Sequence, residues 1–188
     1  ADYAIGFYAS ALVRDGGTLQ IGIGALADAL CHALALRHTD NAAYRRVLHA
    51  LDPDLTTHRV VQNSGGIDPF EIGLYGCSEM INEGFKRLVE VGVIKRRVVD
   101  KASLMRRAND GSASALDREL IERNGEFLHG GFYLGSPDFY AWLRGLDEDT
   151  RRGIGMKRVG EVNELYGLEV ISLRFTEAID MAAMRSGA

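Results

Sequence analysis

Apolar residues recur at helical spacing from the start of the chain. Ile5, Tyr8, Ala9, Leu12 and Val13 define a helical face that Asp15-Gly16-Gly17 stops. A short strand is predicted at Thr18 to Ile21, then a helix whose buried face is Leu26, Ala29, Leu30, Ala33 and Leu34. Asp40 to Leu51 reads as a helix broken by Asp52-Pro53-Asp54, and the β-branched pair Val60-Val61 as a strand stopped by Asn63-Ser64-Gly65-Gly66. Ile72 to Gly76 is predicted to be a strand whose apolar run ends on Glu79, at a strand-to-helix turn. Beyond it Ile81, Phe85, Leu88 and Val89 form a helical stripe closed by Gly92.

Val93-Ile94 and Val98-Val99 read as a strand or bent pair, Ala108 to Ser114 as a mobile polar loop, and Leu116 to Ile121 as a short helix. Phe127 to Leu134 is predicted to be a buried strand, with Gly130-Gly131 marking a close backbone approach. Ser136-Pro137 supplies an N-cap and first-turn pair for a helix through Leu146, and Met156 to Leu165 and Val170 to Met184 complete the pattern. Short apolar strands alternating with amphipathic helices predict the α/β class: an open, mostly parallel sheet flanked by helices. Thr18–Ile21 and Ile72–Gly76 should be neighbouring strands, with Gly24 and Glu79 at the same edge. Leu26, Leu30, Leu34, Phe85, Leu88, Phe132 and Trp142 are expected to be buried, and 95–97 and 108–112 exposed.

Composition changes this picture little. The chain has 188 residues, 46% hydrophobic and 26% charged, enough to bury a core as one domain over 1–188, with a small C-terminal lobe at 136–188 as the alternative division. A net charge of -4 gives no basic excess for a nucleic-acid partner, and Lys95-Arg96-Arg97 reads as a solvated strand end. No apolar run reaches the length of a membrane span and no charged-then-apolar leader opens the sequence, so no membrane partner is expected. Cys31 and Cys77 are too few for a disulfide framework or zinc site, which favours a reducing, cytoplasmic setting. Both read as packing residues. The five histidines show no metal-ligand spacing, and of them His129 alone stands beside a candidate site motif.

The candidate chemistry centres on Glu79. In open α/β sheets ligands bind beyond the carboxyl ends of strands, and a carboxylate there can attack an activated acyl group. A first-turn carboxylate also complements a helix dipole without any chemistry. Gly22-Ile23-Gly24 leaves backbone N–H groups uncovered at a helix start, ready for an anion or oxyanion, while the third glycine of a dinucleotide loop is absent at Ala27-Asp28. Gly65-Gly66 is either a connecting turn or a wall of the site.

Gly22-Ile23-Gly24 running into a helix, with Ser78-Glu79-Met80 some tens of residues later, resembles the acetyl-CoA hydrolase/transferase family of glutamate-dependent CoA-transferases. The likeness continues through Gly84 to Arg96, Gly130 to Gly135 and Val159 to Gly167, and so covers most of the chain. It implies a CoA-transferase-like fold, Glu79 as nucleophile, Gly22 to Gly24 as CoA or oxyanion contacts, and Ser78 and Asn82 orienting the carboxylate. It implies acyl-CoA and carboxylic acid substrates, coenzyme A acting as substrate and not as a resident cofactor, and no metal. Family members are longer, so the resemblance also implies a fragment of the C-terminal half, paired with an N-terminal half or a homo-oligomeric partner. The alternatives are a non-catalytic acyl-CoA or nucleotide-binding module, and a subunit that needs a partner chain. Acyl specificity and the choice between transfer and hydrolysis stay open.

Overall fold

The computed structural model describes residues 1–154. The expected elements at 156–165 and 170–184, and the motif at 159–167, lie outside those residues. The chain opens with helix α1 (Asp2–Ala11), strand β1 (Thr18–Gln20) and helices α2 (Ala25–Thr39), α3 (Asn41–Leu51) and α4 (Arg59–Ser64). Strand β2 (Tyr75–Ile81) and helices α5 (Glu83–Glu90), α6 (Ala102–Asp110) and α7 (Ala115–Asn124) follow. Strand β3 (Leu128–Tyr133) and helices α8 (Pro137–Gly145) and α9 (Glu148–Gly153) close the described part. The three strands form a parallel sheet in the order β1-β2-β3, flanked by helices, as expected of an α/β protein.

Cap chemistry explains most helix starts. Asp40 accepts a hydrogen bond from the Ala43 N–H, and Ser136 accepts one from Phe139 N–H ahead of Pro137. α2 carries the packing on both sides. Its Cys31, Leu34 and Ala35 join Leu19, Leu74, Ile81, Phe85, Leu88 and Leu128 in the main apolar core, while Ala33 joins Phe7, Tyr44, Leu48 and Val61 in a second cluster. Phe139, Leu143 and Ile154 belong to the main core too, so the described residues of α8 and the end of α9 pack against the same apolar centre as the strands.

Several expectations change. α1 buries Gly6, Phe7, Ser10 and Ala11 rather than Ile5, Tyr8 and Leu12, because it crosses α2 at backbone contact. A Cβ on Gly6 would stand 2.6 Å from the Ala29 carbonyl carbon, so the small residues and not the large apolar ones meet the partner helix. Val60-Val61 lies in a helix: Val61 fills the second cluster, and a single buried valine suits one helical turn as well as a strand. α6 runs to Asp110 and only the stretch after it turns, through Gly111 at φ +82°. Leu34, Phe85 and Leu88 are buried as expected and Leu30 and Trp142 are half-buried, but Leu26 is 49% exposed at the outer start of α2 and Phe132 is 36% exposed. Lys95 is exposed, whereas Arg96 and Arg97 are half-buried beneath α6 and α7.

One contact of α2 gives the fold a pH dependence. The Phe70 N–H donates to His38 Nδ1 at 3.1 Å, which requires an unprotonated nitrogen. Burial lowers the His38 pKa, Lys95 adds to the effect and Asp15 opposes it. With the folded pKa below the unfolded value of about 6.5, the neutral ring contributes stability above that pH and loses it as pH falls through the folded value. Wild type should therefore lose more thermal stability than His38→Gln between about pH 7.5 and 5.5. Parallel Tm-against-pH curves would contradict this.

Candidate functional site: the carboxyl ends of β1 and β2

β1 alternates cleanly: Leu19 and the following Ile21 are buried, while Thr18 and Gln20 are exposed. Gln20 pairs with Cys77 in the parallel register, so continuing by two residues sets Gly22 level with Glu79. Thr18, Gln20, Tyr75, Cys77 and Glu79 thus share one side of the sheet, and Glu79 is exposed on it. A direct tie holds the two chain segments together there: Ser78 Oγ donates to the Ile21 carbonyl at 2.6 Å.

β2 does not stop where the pattern suggested. It starts at Tyr75 and continues to Ile81, so Glu79 lies within the strand and the strand-to-helix turn falls at Asn82. The cause is Ile81, which is fully buried and keeps the strand against the core for two residues beyond the carboxylate. Asn82 Oδ1 then accepts from the Gly84 N–H and caps α5. Glu79 accordingly is not a first-turn residue, and the helix-dipole account of it does not apply.

Glycines flank Glu79 on both sides. On the β1 side, Gly24 caps α2 at φ +106°, a backbone region that side chains disfavour, and a Cβ on Gly22 or Gly24 would meet nothing within 4 Å. On the β3 side, a Cβ on Gly131 would stand 2.9 Å from the Glu79 carbonyl oxygen, and one on Gly130 would strike Ile81. The close approach read from Gly130-Gly131 is therefore present, and it is directed at the backbone of Glu79. Gly131 was not singled out as part of the site; its pairing with Gly130 was the available signal.

Neither residue expected to orient the carboxylate hydrogen-bonds it. Ser78 projects to the opposite face of β2 and binds Ile21, and Asn82 is engaged as a helix cap. Among the described residues the Glu79 side chain makes no hydrogen bond or ion pair. The neighbouring thiols are poor nucleophiles. Burial raises the Cys77 pKa, and burial with Asp28 nearby pushes Cys31 up to about 12, so both stay protonated at neutral pH. His129 sits level with Cys77 on β3, its Nδ1 3.9 Å from Glu126 Oε2.

Gly65-Gly66 is away from this edge. Gly66 N–H donates to the Ala11 carbonyl, and a Cβ on Gly65 would overlap that same oxygen, so the pair is a connecting turn against α1. One cavity of about 600 Å³ lies near Gly16 and Arg96 and another of about 280 Å³ between α2 and α5. Neither is lined by Glu79. No group of three or more His, Cys, Asp or Glu side chains among the described residues is placed to hold a metal ion, and no described helix is long and apolar enough to cross a membrane.

No family model, curated protein or solved structure matches the chain. The functional reading therefore stands on the residues themselves.

Proposed function

We propose that the chain carries the nucleophilic half-site of an acyl-CoA transferase or hydrolase of the acetyl-CoA hydrolase/transferase type, working in the cytoplasm, with Glu79 as the nucleophile. The observation that carries this reading is the register of β1 and β2, in which an exposed carboxylate stands level with the Gly22-Ile23-Gly24 loop at the same strand ends. The glycines leave open space above that loop and a bare backbone on the β3 side, so an acyl group can approach Glu79 without meeting a side chain of either neighbour. Cys77 is half-buried and its thiol pKa is pushed up by desolvation, which leaves the carboxylate as the competent nucleophile of this edge.

In the proposed reaction a Glu79 oxygen attacks the thioester carbonyl, the C–S bond breaks and CoA thiolate leaves, giving an acyl-glutamyl anhydride. The thiolate then attacks the glutamyl carbonyl of the anhydride and expels the acyl carboxylate. The product is a glutamyl-CoA thioester. A second carboxylate attacks the glutamyl carbonyl, CoA leaves as thiolate and returns to the new anhydride, so that an acyl-CoA is released; water in place of that acid gives hydrolysis. Backbone N–H groups of the Gly22 to Gly24 loop would hold the developing oxyanion. Ser78 and Asn82 contribute by position: the first pins the loop to β2, the second starts α5.

An anhydride survives only where water is excluded. Residues 1–154 leave Glu79 exposed, and this favours the version in which a partner chain or a further half of the protein covers the carboxylate. The test is chemical trapping. After incubation of the assembled protein with acetyl-CoA, borohydride should reduce the glutamyl thioester to an alcohol at position 79, read by peptide mass, and Glu79→Gln should show no such product. Saturable CoA binding with no trapped adduct and no turnover would replace this reading with the acyl-CoA-binding module.

A further inference from the structure

The other end of β2 carries a second, unrelated arrangement. The loop before β1, Ile72 before β2, the 96–97 segment and helices α6 and α7 line an open cleft, the cavity of about 600 Å³. Small-molecule sites fall between roughly 300 and 1,000 Å³. Its lining includes four arginines, Arg14, Arg96, Arg97 and Arg118, against the acids Asp15 and Glu122.

Both acids are already committed. Asp15 accepts four backbone N–H groups, from Gly16 and Gly73 on Oδ1 and from Glu71 and Ile72 on Oδ2. Glu122 lies 3.4 Å from Arg97, which also pairs with Asp149. Arg14, Arg96 and Arg118 remain, and among the described residues they form no ion pair. Arg96 donates to the side chain of Asn109 and Arg118 to the Ala113 carbonyl, both neutral acceptors. Arg96 is half-buried, and burial lowers its pKa with no acid acting against it. A partly desolvated cation without a counter-charge is costly, and an anion in the cavity relieves that cost. Ile72, 62% exposed, gives the same cavity an apolar wall together with Met105 and Ile121.

We propose that this cleft binds a phosphate-bearing organic anion of nucleotide size, such as a nucleoside diphosphate, with its phosphates on Arg14, Arg96 and Arg118 and its planar body against the apolar wall. The guanidinium fork matches phosphate oxygens in pairs, which a lone ammonium does not. The site is separate from Glu79, which does not line it: Ile72 precedes β2, and Glu79 stands four residues into that strand, about 13 Å from its start at a strand's rise per residue. It requires nothing of the acyl-transfer chemistry.

Calorimetric titration of the intact protein with ADP, and with adenosine as the uncharged control, tests this. ADP should bind saturably and adenosine should not. Arg14→Gln or Arg96→Gln should raise the Kd for ADP at least tenfold, while Arg46→Gln, exposed on α3 outside the cleft, should leave it unchanged. Arg14 is solvent-exposed, so a loss in Arg14→Gln reports on the cleft and not on unfolding. Absence of saturable ADP binding, adenosine binding as tightly as ADP, or a Kd unchanged in both Arg14→Gln and Arg96→Gln would each overturn the proposal. The last of these also covers ADP seated at the Glu79 edge.

Discussion

Glu79→Gln is expected to lower acyl exchange between CoA and free acid by more than about a thousandfold in the assembled protein, since the amide cannot form the anhydride. The fold should not notice. Glu79 is exposed and its side chain makes no hydrogen bond or ion pair among the described residues, so the denaturation midpoint of Glu79→Gln should match wild type. That separation of activity from stability is what distinguishes a nucleophile from a structural carboxylate. Exchange at the wild-type rate, with deamidation back to Glu excluded by mass, would remove Glu79 from the mechanism.

The largest stability effect is expected at Arg37, 1% exposed in the middle of the helical layer. Its Nε donates to the Asp68 carbonyl at 2.7 Å, its Nη1 to the carbonyls of Ser10 and Val13, and its guanidinium lies 4.2 Å from the centroid of Phe70. One side chain therefore donates to three carbonyls, one in the last turn of α1, one in the loop that follows it and one in the loop between α4 and β2, and no carboxylate is bonded to it. Arg37→Met keeps the volume but takes the donor from the Asp68 and Val13 carbonyls, while the Ser10 carbonyl keeps its bond from the Val13 N–H; at about 1–3 kcal/mol for each carbonyl left unpaired, the loss is about 2–5 kcal/mol in all. Arg37→Lys should recover only part of this, because an ammonium lacks the planar fork. Arg45→Met, which removes an exposed pair with Asp68, should cost less than about 1 kcal/mol. Urea midpoints for the three variants check the order, and an Arg37→Met midpoint equal to that of Arg45→Met would refute it.

What could be read from the sequence follows from which forces act locally. Ser136-Pro137 and Asp40 announce helix starts because a cap bond is made within three residues. Gly24 was legible because its conformation is one that a side chain resists. The meeting of Gly22 to Gly24 with Glu79 at one edge was also legible, since parallel strands in an α/β pattern place their carboxyl ends together. The errors come from contacts that spacing does not encode. The face of α1 was misassigned because helices that cross at Gly6 and Ala29 bury small residues and leave Ile5 and Leu12 outside. The end of β2 was misplaced because Ile81 reads equally well as the first residue of the stripe continued by Phe85 and Leu88. Only the packed core decides that it belongs to the strand. Arg37 gave no sign at all: in sequence it is one more cation near the end of a helix.

The tie between Asp15 and the amides of Glu71, Ile72 and Gly73 also loads a long loop closure onto folding. These partners are 56 to 58 residues apart, and the Ser78–Ile21 bond spans 57. Loops of that length close only after an entropic cost that local contacts do not carry, so the α1–α4 layer, rich in near-neighbour contacts, can assemble first. β1 then waits. On a ribosome its three residues emerge as an unpaired edge and find no ladder until the chain through Cys77 has been made, an interval in which that edge is open to a wrong partner.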